Sequence, residues 1–182
     1  MRRVVAFVSV LVLAAVLGTS TVIVAAQEAS PDASPAALPP LLEEWVAAFN
    51  SGDTDRLLVL HTDDALWEEV AIGLAARGPE QIRVHLEALF TAVPDITYDI
   101  TNVIFAGDQA TLEWVATGTY TYDFPGLPPA TGQHFSFRGA SVFELADGKI
   151  RRYTEYWDAF GFLVQLGALP APGTVAPGTP MP

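Results

Sequence analysis

Residues 133–167, QHFSFRGASVFELADGKIRRYTEYWDAFGFLVQLG, carry the pattern that decides the fold. Every second residue in the first third is apolar or small, which predicts a long strand with one buried face. The residues of that face are Phe135, Phe137, Gly139, Ser141, Phe143 and Leu145. Asp147-Gly148 is suited to the positive φ angles of a two-residue turn, so a hairpin with Lys149–Trp157 is expected.

The return strand of this hairpin carries the residue with the clearest chemical potential. Tyr153, Glu155 and Trp157 alternate onto one face, which places a carboxyl group between two aromatic rings beside a core. Such a carboxyl group could act as an acid or base, because burial raises its pKa toward neutral pH. The structural alternative is an ion pair with one of the nearby arginines, Arg138, Arg151 and Arg152.

The rest of the chain predicts an α+β fold. Helical periodicity and capping residues indicate three helices before residue 93, and Pro94 ends the third. The helices are expected at Leu41–Asn50, Asp53–Leu60 and Pro79–Ala92, and the other strands at Ala65–Val70, Thr97–Phe105 and Ala110–Tyr122. This order favours a curved antiparallel sheet wrapped around N-terminal helices, forming a cone with an internal cavity. Gly118 and Gly139 are candidate bend points.

The ends of the chain have a different composition from its middle. Residues 1–26 combine two arginines with an apolar run and Val24-Ala25-Ala26, which predicts a signal peptide or, alternatively, an N-terminal membrane anchor. Residues 27–40 read as a Pro/Ala/Ser linker, 41–168 as one domain, and 169–182 as a disordered Pro/Gly tail. The domain is therefore expected to be exported, either secreted or held at the cell envelope.

Charge and composition exclude several partners and sites. The chain has 21 acidic residues against nine Lys and Arg, a formal charge of −12, which argues against nucleic acid and anionic lipid surfaces. Any membrane contact is expected only through the N-terminal segment if it stays uncleaved. There is no cysteine, and the three histidines lack ligand spacing, so no metal or other cofactor is expected.

Four stretches in this order resemble the SnoaL-like polyketide cyclase family of the nuclear transport factor 2-like superfamily, which also contains ketosteroid isomerases. They are WVAAFNSGDTDRLLVLHTDDALWEE, RGPEQIRVHLEALF, WVATGTYTYDFPGLPPATGQHFSFRGASVFELADGKI and YWDAFGFLVQLG. The resemblance spans essentially Leu41–Gly167. It implies a helix-lidded cone, a ligand cavity, frequent homodimers and no obligatory metal.

The resemblance also assigns roles to individual positions. The acid/base residue of the cyclases corresponds to Glu155, whereas their histidines fall at Ser141 and Tyr120. The base of the isomerases corresponds to Glu69, but their oxyanion tyrosine falls at Trp45 and their neutral acid at Ser141. Steroid isomerisation is therefore disfavoured, and the cyclase pattern is half kept.

These arguments predict a site for a small apolar or polycyclic ligand. The expected catalytic residues are Glu155, Glu69, Tyr120 and Ser141, with Tyr120 or Ser141 polarising an oxygen atom. Aromatic walls are expected from Trp45, Phe49, Trp67, Trp114, Phe137, Tyr153 and Trp157. Three functions remain open: cyclase, isomerase or dehydratase chemistry; ligand binding without turnover, or a dimeric interaction module; and a structural domain of the cell surface.

Overall fold

The computed structural model describes residues 38–173. The predicted signal peptide or anchor, most of the linker and most of the C-terminal tail lie outside the described residues. The helices are α1 (Pro40–Asn50), α2 (Thr54–Val59), α3 (Gly78–Ala92) and α4 (Ala159–Gln165). The strands are β1 (His61–Glu69), β2 (Leu74–Arg77), β3 (Thr97–Ala106), β4 (Gln109–Thr119), β5 (His134–Ala146) and β6 (Lys149–Trp157).

The six strands form one curved, unclosed sheet in the order β2-β1-β6-β5-β4-β3. Strands β3 to β6 are joined as an antiparallel meander, and the predicted α+β class is confirmed. One pair departs from the expected antiparallel arrangement, because β1 runs parallel to β6. A parallel neighbour needs a long crossover connection, and here α3 and the meander itself supply it.

The boundaries around β1 differ from the prediction. The expected strand began at Ala65, whereas β1 begins at His61, immediately after the cap of α2. No strand was among the expected elements at the position of β2. Its sequence, LAAR, has no alternating apolar pattern, and it is held as a strand by antiparallel pairing with Leu66–Glu69 of β1.

The predicted hairpin turn is confirmed by its backbone angles. Asp147 and Gly148 have φ values of 52° and 75°, the left-handed conformations that such a turn requires at both positions. The turn fixes the register of β5 and β6, so that Ser141 pairs with Glu155 and Phe143 with Tyr153. The alternating residues of β5 and β6 that were expected to face the core therefore do so.

Two glycines of the sheet are explained by close packing. A Cβ atom at Gly139 would lie 2.2 to 2.7 Å from ring atoms of Trp114, and one at Gly118 would lie 2.5 Å from Cγ1 of Val93. Both distances are far below van der Waals contact. The sheet irregularities lie elsewhere, between Ile100 and Asn102 in the β3–β4 pair and at the β5–β6 pair after Glu144. The glycines admit large neighbours to the concave face.

The core is an aromatic cluster between the concave face of the sheet and the helices. Trp45 of α1 is fully buried and stacks on Tyr153 and Phe49, with centroid distances of 5.1 and 5.2 Å. Trp67 of β1 packs 4.0 Å from the Tyr153 ring. Helix α3 packs against β1 and β2. No helix between residues 38 and 173 is long and apolar enough to cross a bilayer.

The last helix depends on its N-cap. The carboxylate of Asp158 accepts a hydrogen bond from the backbone N–H of Gly161, at 2.8 Å. We expect Asp158→Ala to lower the free energy of unfolding by about 1 kcal/mol, the usual value of a lost cap. Urea unfolding would measure this, with Asp158→Asn as the control that keeps a capping oxygen. Equal losses in both variants would contradict the capping role.

Candidate functional site

The parallel pairing of β1 and β6 brings two carboxyl groups side by side. In this register Trp67 lies beside Tyr153, and Glu69 lies beside Glu155. Neighbouring strands are about 4.8 Å apart, so side chains on the same face of paired residues are close. Both glutamates are buried, with 6% and 4% of their surface exposed, and both line the same internal cavity.

Glu155 is held by two tyrosine hydroxyl groups from different strands. The Tyr98 hydroxyl donates to Oε1 of Glu155 at 2.9 Å, and the Tyr153 hydroxyl donates to Oε2. Behind Tyr153, the Ser141 hydroxyl donates to the Tyr153 hydroxyl at 2.9 Å, and Nε1 of Trp114 donates to Ser141, also at 2.9 Å. The carboxyl group thus ends a chain of four buried donors and acceptors.

The environment of Glu155 favours its protonated form. Burial is the largest cause, and the nearby charge of Glu69 is the second; together they raise the pKa of Glu155 to about 8. The hydrogen bonds from Tyr153 and Tyr98 lower it only in part. Burial and the charge of Glu155 also raise the pKa of both tyrosines well above 10, so their hydroxyl groups remain donors.

Glu69 has one close polar neighbour, His85 of α3. Nε2 of His85 lies 2.7 Å from Oε1 of Glu69, and the two side chains are only 3% and 9% exposed. The distance is that of an ion pair, but the angle at Nε2 is not that of a hydrogen bond. Nδ1 of His85 also has no hydrogen-bond partner among the described residues. Glu69 therefore faces the cavity without a well-directed donor.

The cavity beside these two glutamates has a volume of about 50 Å³. On this scale a single buried water needs about 10–15 Å³, so the space admits a few waters or one compact organic group. Its wall is apolar and aromatic except for the two acids. Besides Glu69 and Glu155, the lining residues are Leu89, Ala92, Val93, Ile96, Tyr98, Tyr120, Phe124, Leu127, Phe135, Phe137, Trp157 and Phe162.

Comparison with known proteins assigns this arrangement to a family. The model of the SnoaL-like domain matches residues 42–153, more than half of the chain. The chain belongs to the SnoaL-like family. No curated protein sequence matches it.

Solved structures support the same fold. A protein with a ketosteroid isomerase-like fold from Catenulispora acidiphila, in complex with trimethylamine, is 26% identical over 76% of this chain and all of its own, with a TM-score of 0.62. A candidate polyketide cyclase from Xanthomonas campestris pv. campestris is 27% identical, covering 69% of this chain and 93% of that one, with a TM-score of 0.63. IdmH, a candidate polyketide cyclase from Streptomyces antibioticus, is 27% identical over 70% and 96%, with a TM-score of 0.59.

The SnoaL-like domain places the four predicted catalytic residues at different depths. Glu155 and Glu69 both line the cavity. Tyr120 also lines it, but its hydroxyl donates to the carbonyl of Pro128 at 2.8 Å and accepts from the backbone N–H of Phe124 at 3.0 Å. Ser141 lies behind Tyr153 with no exposed surface. The Tyr120 hydroxyl thus holds the loop that contains Phe124 and Pro128. The Ser141 hydroxyl belongs to the hydrogen-bond network behind Glu155.

The predicted aromatic wall divides in the same way. Phe137 and Trp157 line the cavity, and their rings stack at 5.1 Å. The other five lie in the core cluster behind the wall, each at most 1% exposed: Trp45, Phe49, Trp67, Trp114 and Tyr153. Because these large rings fill the base of the cone, the space left beside the glutamates is small.

The sequence analysis missed the polar partners of the two glutamates, Tyr98 and His85, as well as Phe162 and other apolar lining residues. Tyr98 follows from the alternation of β3, which buries it while Thr97 and Asp99 are exposed. His85 lies on the apolar stripe of α3 with Ile82, Leu86 and Leu89, and a polar residue in such a stripe is a usable signal. Neither signal shows that Tyr98 contacts Glu155 or that His85 contacts Glu69, because each contact joins segments that are far apart in the sequence.

The remaining charged candidates lie away from the cavity. Arg152 pairs with Glu68 at 2.7 Å and Arg151 with Glu144 at 2.6 Å, so the arginines hold the outer face of the sheet rather than Glu155. His61 is buried, with Nδ1 2.7 Å from the Leu57 carbonyl, and burial lowers its pKa to about 4. In the described part of the chain, no three His, Asp or Glu side chains are grouped as metal ligands.

Proposed function

We propose that this SnoaL-like domain catalyses proton transfer at a carbon atom next to a carbonyl group in a small organic ligand. The observation that carries the proposal is the pair of buried carboxyl groups in one cavity, with the pKa of Glu155 raised to about 8. A carboxyl group that stays protonated beside a second, charged carboxylate can serve as the acid while its neighbour serves as the base.

In this proposal the two glutamates have complementary roles. Protonated Glu155 donates its proton to the carbonyl oxygen while ionised Glu69 takes a proton from the adjacent carbon, which gives an enol. In an unsaturated ketone the enol is a dienol: Glu69 returns its proton to the far carbon while the enol O–H returns its proton to Glu155, which gives an isomer. In a ligand with a second carbonyl, the enol carbon attacks that carbonyl, whose oxygen takes the proton from Glu69 while the enol O–H returns its proton to Glu155, which gives a cyclised product. Tyr98 and Tyr153 keep the Glu155 carboxyl group oriented. Tyr120 and Ser141 receive no proton-transfer role, because their hydroxyl groups have other partners.

The size of the cavity restricts the ligand. Sites for drug-sized ligands measure about 300–1,000 Å³, whereas this cavity has about 50 Å³. A polycyclic ligand therefore requires displacement of the roof formed by Phe124 and Leu127, which breaks the two hydrogen bonds of the Tyr120 hydroxyl. Relatives described as candidate polyketide cyclases support an apolar carbonyl ligand, and the relative in complex with trimethylamine supports a small one.

Binding without turnover is the second candidate function. It is favoured by the network itself, in which both Glu155 oxygens accept hydrogen bonds from tyrosines. A ligand would then be held by the aromatic wall, and no proton would move.

Deuterium exchange distinguishes the two functions. Butanone and cyclopentanone in D₂O would be followed by NMR with and without the protein. We expect catalysed exchange that falls by about 10²–10⁴-fold in Glu155→Gln and in Glu69→Gln, the usual range for a lost acid or base. Exposed Glu80→Gln is the matched control and should keep the wild-type rate. Ketone binding without exchange in the wild type would favour the binding function.

The predicted export and dimer formation also remain proposals. The apolar run of residues 1–26 supports export, and the family resemblance supports a homodimer. N-terminal sequencing of protein recovered outside the cytoplasm would locate a cleavage site. Sedimentation at micromolar concentration would test the dimer, and a monomer alone would contradict it.

A further inference from the structure

The charged groups of the cavity are all acids. Glu69 and Glu155 line it, and among residues 38–173 no Lys or Arg contributes to its wall. Only 9% of the Glu69 side chain is exposed. This side chain faces the cavity and accepts no well-directed hydrogen bond from the described residues. With a neutral ligand the His85 imidazole would be the only basic group beside this buried carboxylate, and an anionic ligand would add a second negative charge.

The aromatic groups of the cavity meet at a corner. The rings of Phe137 and Trp157 are stacked, with planes 30° apart, and Phe162 stands across both of them at 77° and 87°. The Phe162 centroid is 5.5 Å from each. Ring faces attract positively charged groups through their quadrupole, and several rings around one space form the usual receptor for alkylated ammonium groups.

We propose that the cavity binds a small alkylated ammonium group between this aromatic corner and the two glutamates. The inference goes beyond the proposed function: it concerns binding of a cation in the same cavity and does not depend on proton transfer to or from a carbonyl ligand. The cation compensates the charge of Glu69, and its alkyl groups pack on Phe137, Trp157 and Phe162. The acidic chain, with a formal charge of −12, favours the approach of cations over anions.

The cavity should discriminate among ammonium ions. A primary ammonium has three N–H donors, and leaving a buried donor without an acceptor is costly. Around the cavity the Tyr120 hydroxyl already has two partners, and both oxygens of Glu155 already accept from tyrosines, so few acceptors are left for three N–H groups. A quaternary or tertiary ammonium has at most one N–H, so it fits this wall better. The volume of about 50 Å³ sets an upper limit on the alkyl groups, favouring methyl over butyl.

Binding should be coupled to the protonation of Glu155. The groups that face this carboxyl group are Glu69 from β1, Tyr98 from β3 and Tyr153 from β6, with His85 of α3 against Glu69. A cation stabilises the ionised form of Glu155, so it binds more tightly as pH rises and releases a proton below the pKa of Glu155. The affinity should increase by up to about tenfold per pH unit below pH 8 and level off above it.

A pair of ligands of equal shape tests the charge directly on the unaltered full-length chain. Choline and 3,3-dimethylbutan-1-ol differ in the quaternary nitrogen and its charge, and both can be titrated by calorimetry and NMR at constant ionic strength. We expect choline to bind at least about tenfold more tightly at pH 8.5, with tetramethylammonium similar and tetrabutylammonium excluded. Equal affinities for choline and its neutral analogue, or no binding of either, would overturn the inference.

Variants locate the site within the cavity. Trp157→Leu and Glu155→Gln should each weaken choline binding by about tenfold or more, and Glu155→Gln should also abolish its pH dependence. Glu80→Gln removes an exposed carboxylate and should bind choline as tightly as the wild type does. Unchanged binding in folded Trp157→Leu would overturn the placement. Ketone exchange without cation binding would refute this inference alone, and cation binding without exchange would refute the proposed proton transfer alone.

Discussion

Between pH 6.5 and 9 the wild-type chain should lose about 2 kcal/mol of unfolding free energy, whereas Glu155→Gln should stay nearly constant. Burial and the charge of Glu69 hold the pKa of Glu155 at about 8 in the folded state, above about 4.3 in an unfolded chain. The folded state therefore binds the proton more tightly. Its stabilising effect is complete below the unfolded pKa and is lost as pH rises through the folded one.

His61 explains why the test starts at pH 6.5. Its pKa is lowered to about 4 by burial, so the folded state disfavours its protonation, and stability is lost as pH falls from about 6.5. Below pH 6.5 the effects of His61 and Glu155 have opposite signs and largely cancel. Above pH 6.5, of these two residues only Glu155 still changes the free energy of unfolding.

Urea unfolding at half-unit steps of pH would measure both profiles. Glu80→Gln removes an exposed carboxylate and should reproduce the wild-type slope. If Glu155→Gln declined with pH as steeply as the wild type, the loss would have to come from another group. That result would contradict the raised pKa of Glu155, on which the proposed acid and base roles of the two glutamates depend.

Gly139→Ala should destabilise the fold by about 1–3 kcal/mol, the usual cost of an added group in a filled core. The new Cβ atom would lie 2.2 Å from Cη2 and 2.5 Å from Cζ2 of Trp114, so the indole ring has to move. That ring stacks on Tyr98 at 4.1 Å and donates to Ser141. Its displacement would disturb both arms of the network that ends at Glu155.

A double-mutant cycle isolates this clash. Ser136→Thr adds a methyl group on the exposed side of the same strand and should cost little. In a Trp114→Phe background the ring is smaller, so Gly139→Ala should cost at least about 1 kcal/mol less than in the wild type. Urea unfolding measures the four free energies. Equal costs in both backgrounds would show that Trp114 is not what excludes a side chain at residue 139.

Local patterns predicted most of the elements of this fold. The Asp147-Gly148 turn and the alternation of β5 and β6 are set by neighbouring residues, so they could be read directly from residues 133–157. Strand β2 and the parallel β1–β6 pair could not, because both depend on partners far away in sequence. The order of the elements predicted the curved sheet around the helices, and the resemblance to the SnoaL-like family implied the same cone.

The candidate site shows the same division. Glu155 was found from the spacing of Tyr153, Glu155 and Trp157, and Glu69 from the resemblance to the isomerases. The partners that determine their chemistry, Tyr98 and His85, come from β3 and α3 and carry no local mark of that role. The large aromatic residues were harder still to assign, since side chains with the same composition can either fill a core or line a cavity.

The parallel pairing of β1 and β6 also has a consequence for how the protein reaches its folded state. Glu68 and Thr154, which contact each other across this pair, are 86 residues apart. The meander of β3 to β6 is built from neighbouring hairpins and can form early, whereas joining β1 requires closure of a long loop. During synthesis β1 leaves the ribosome well before β6 exists. The two acids would thus meet in one of the last folding steps, when most of the core needed to support their contact is already in place.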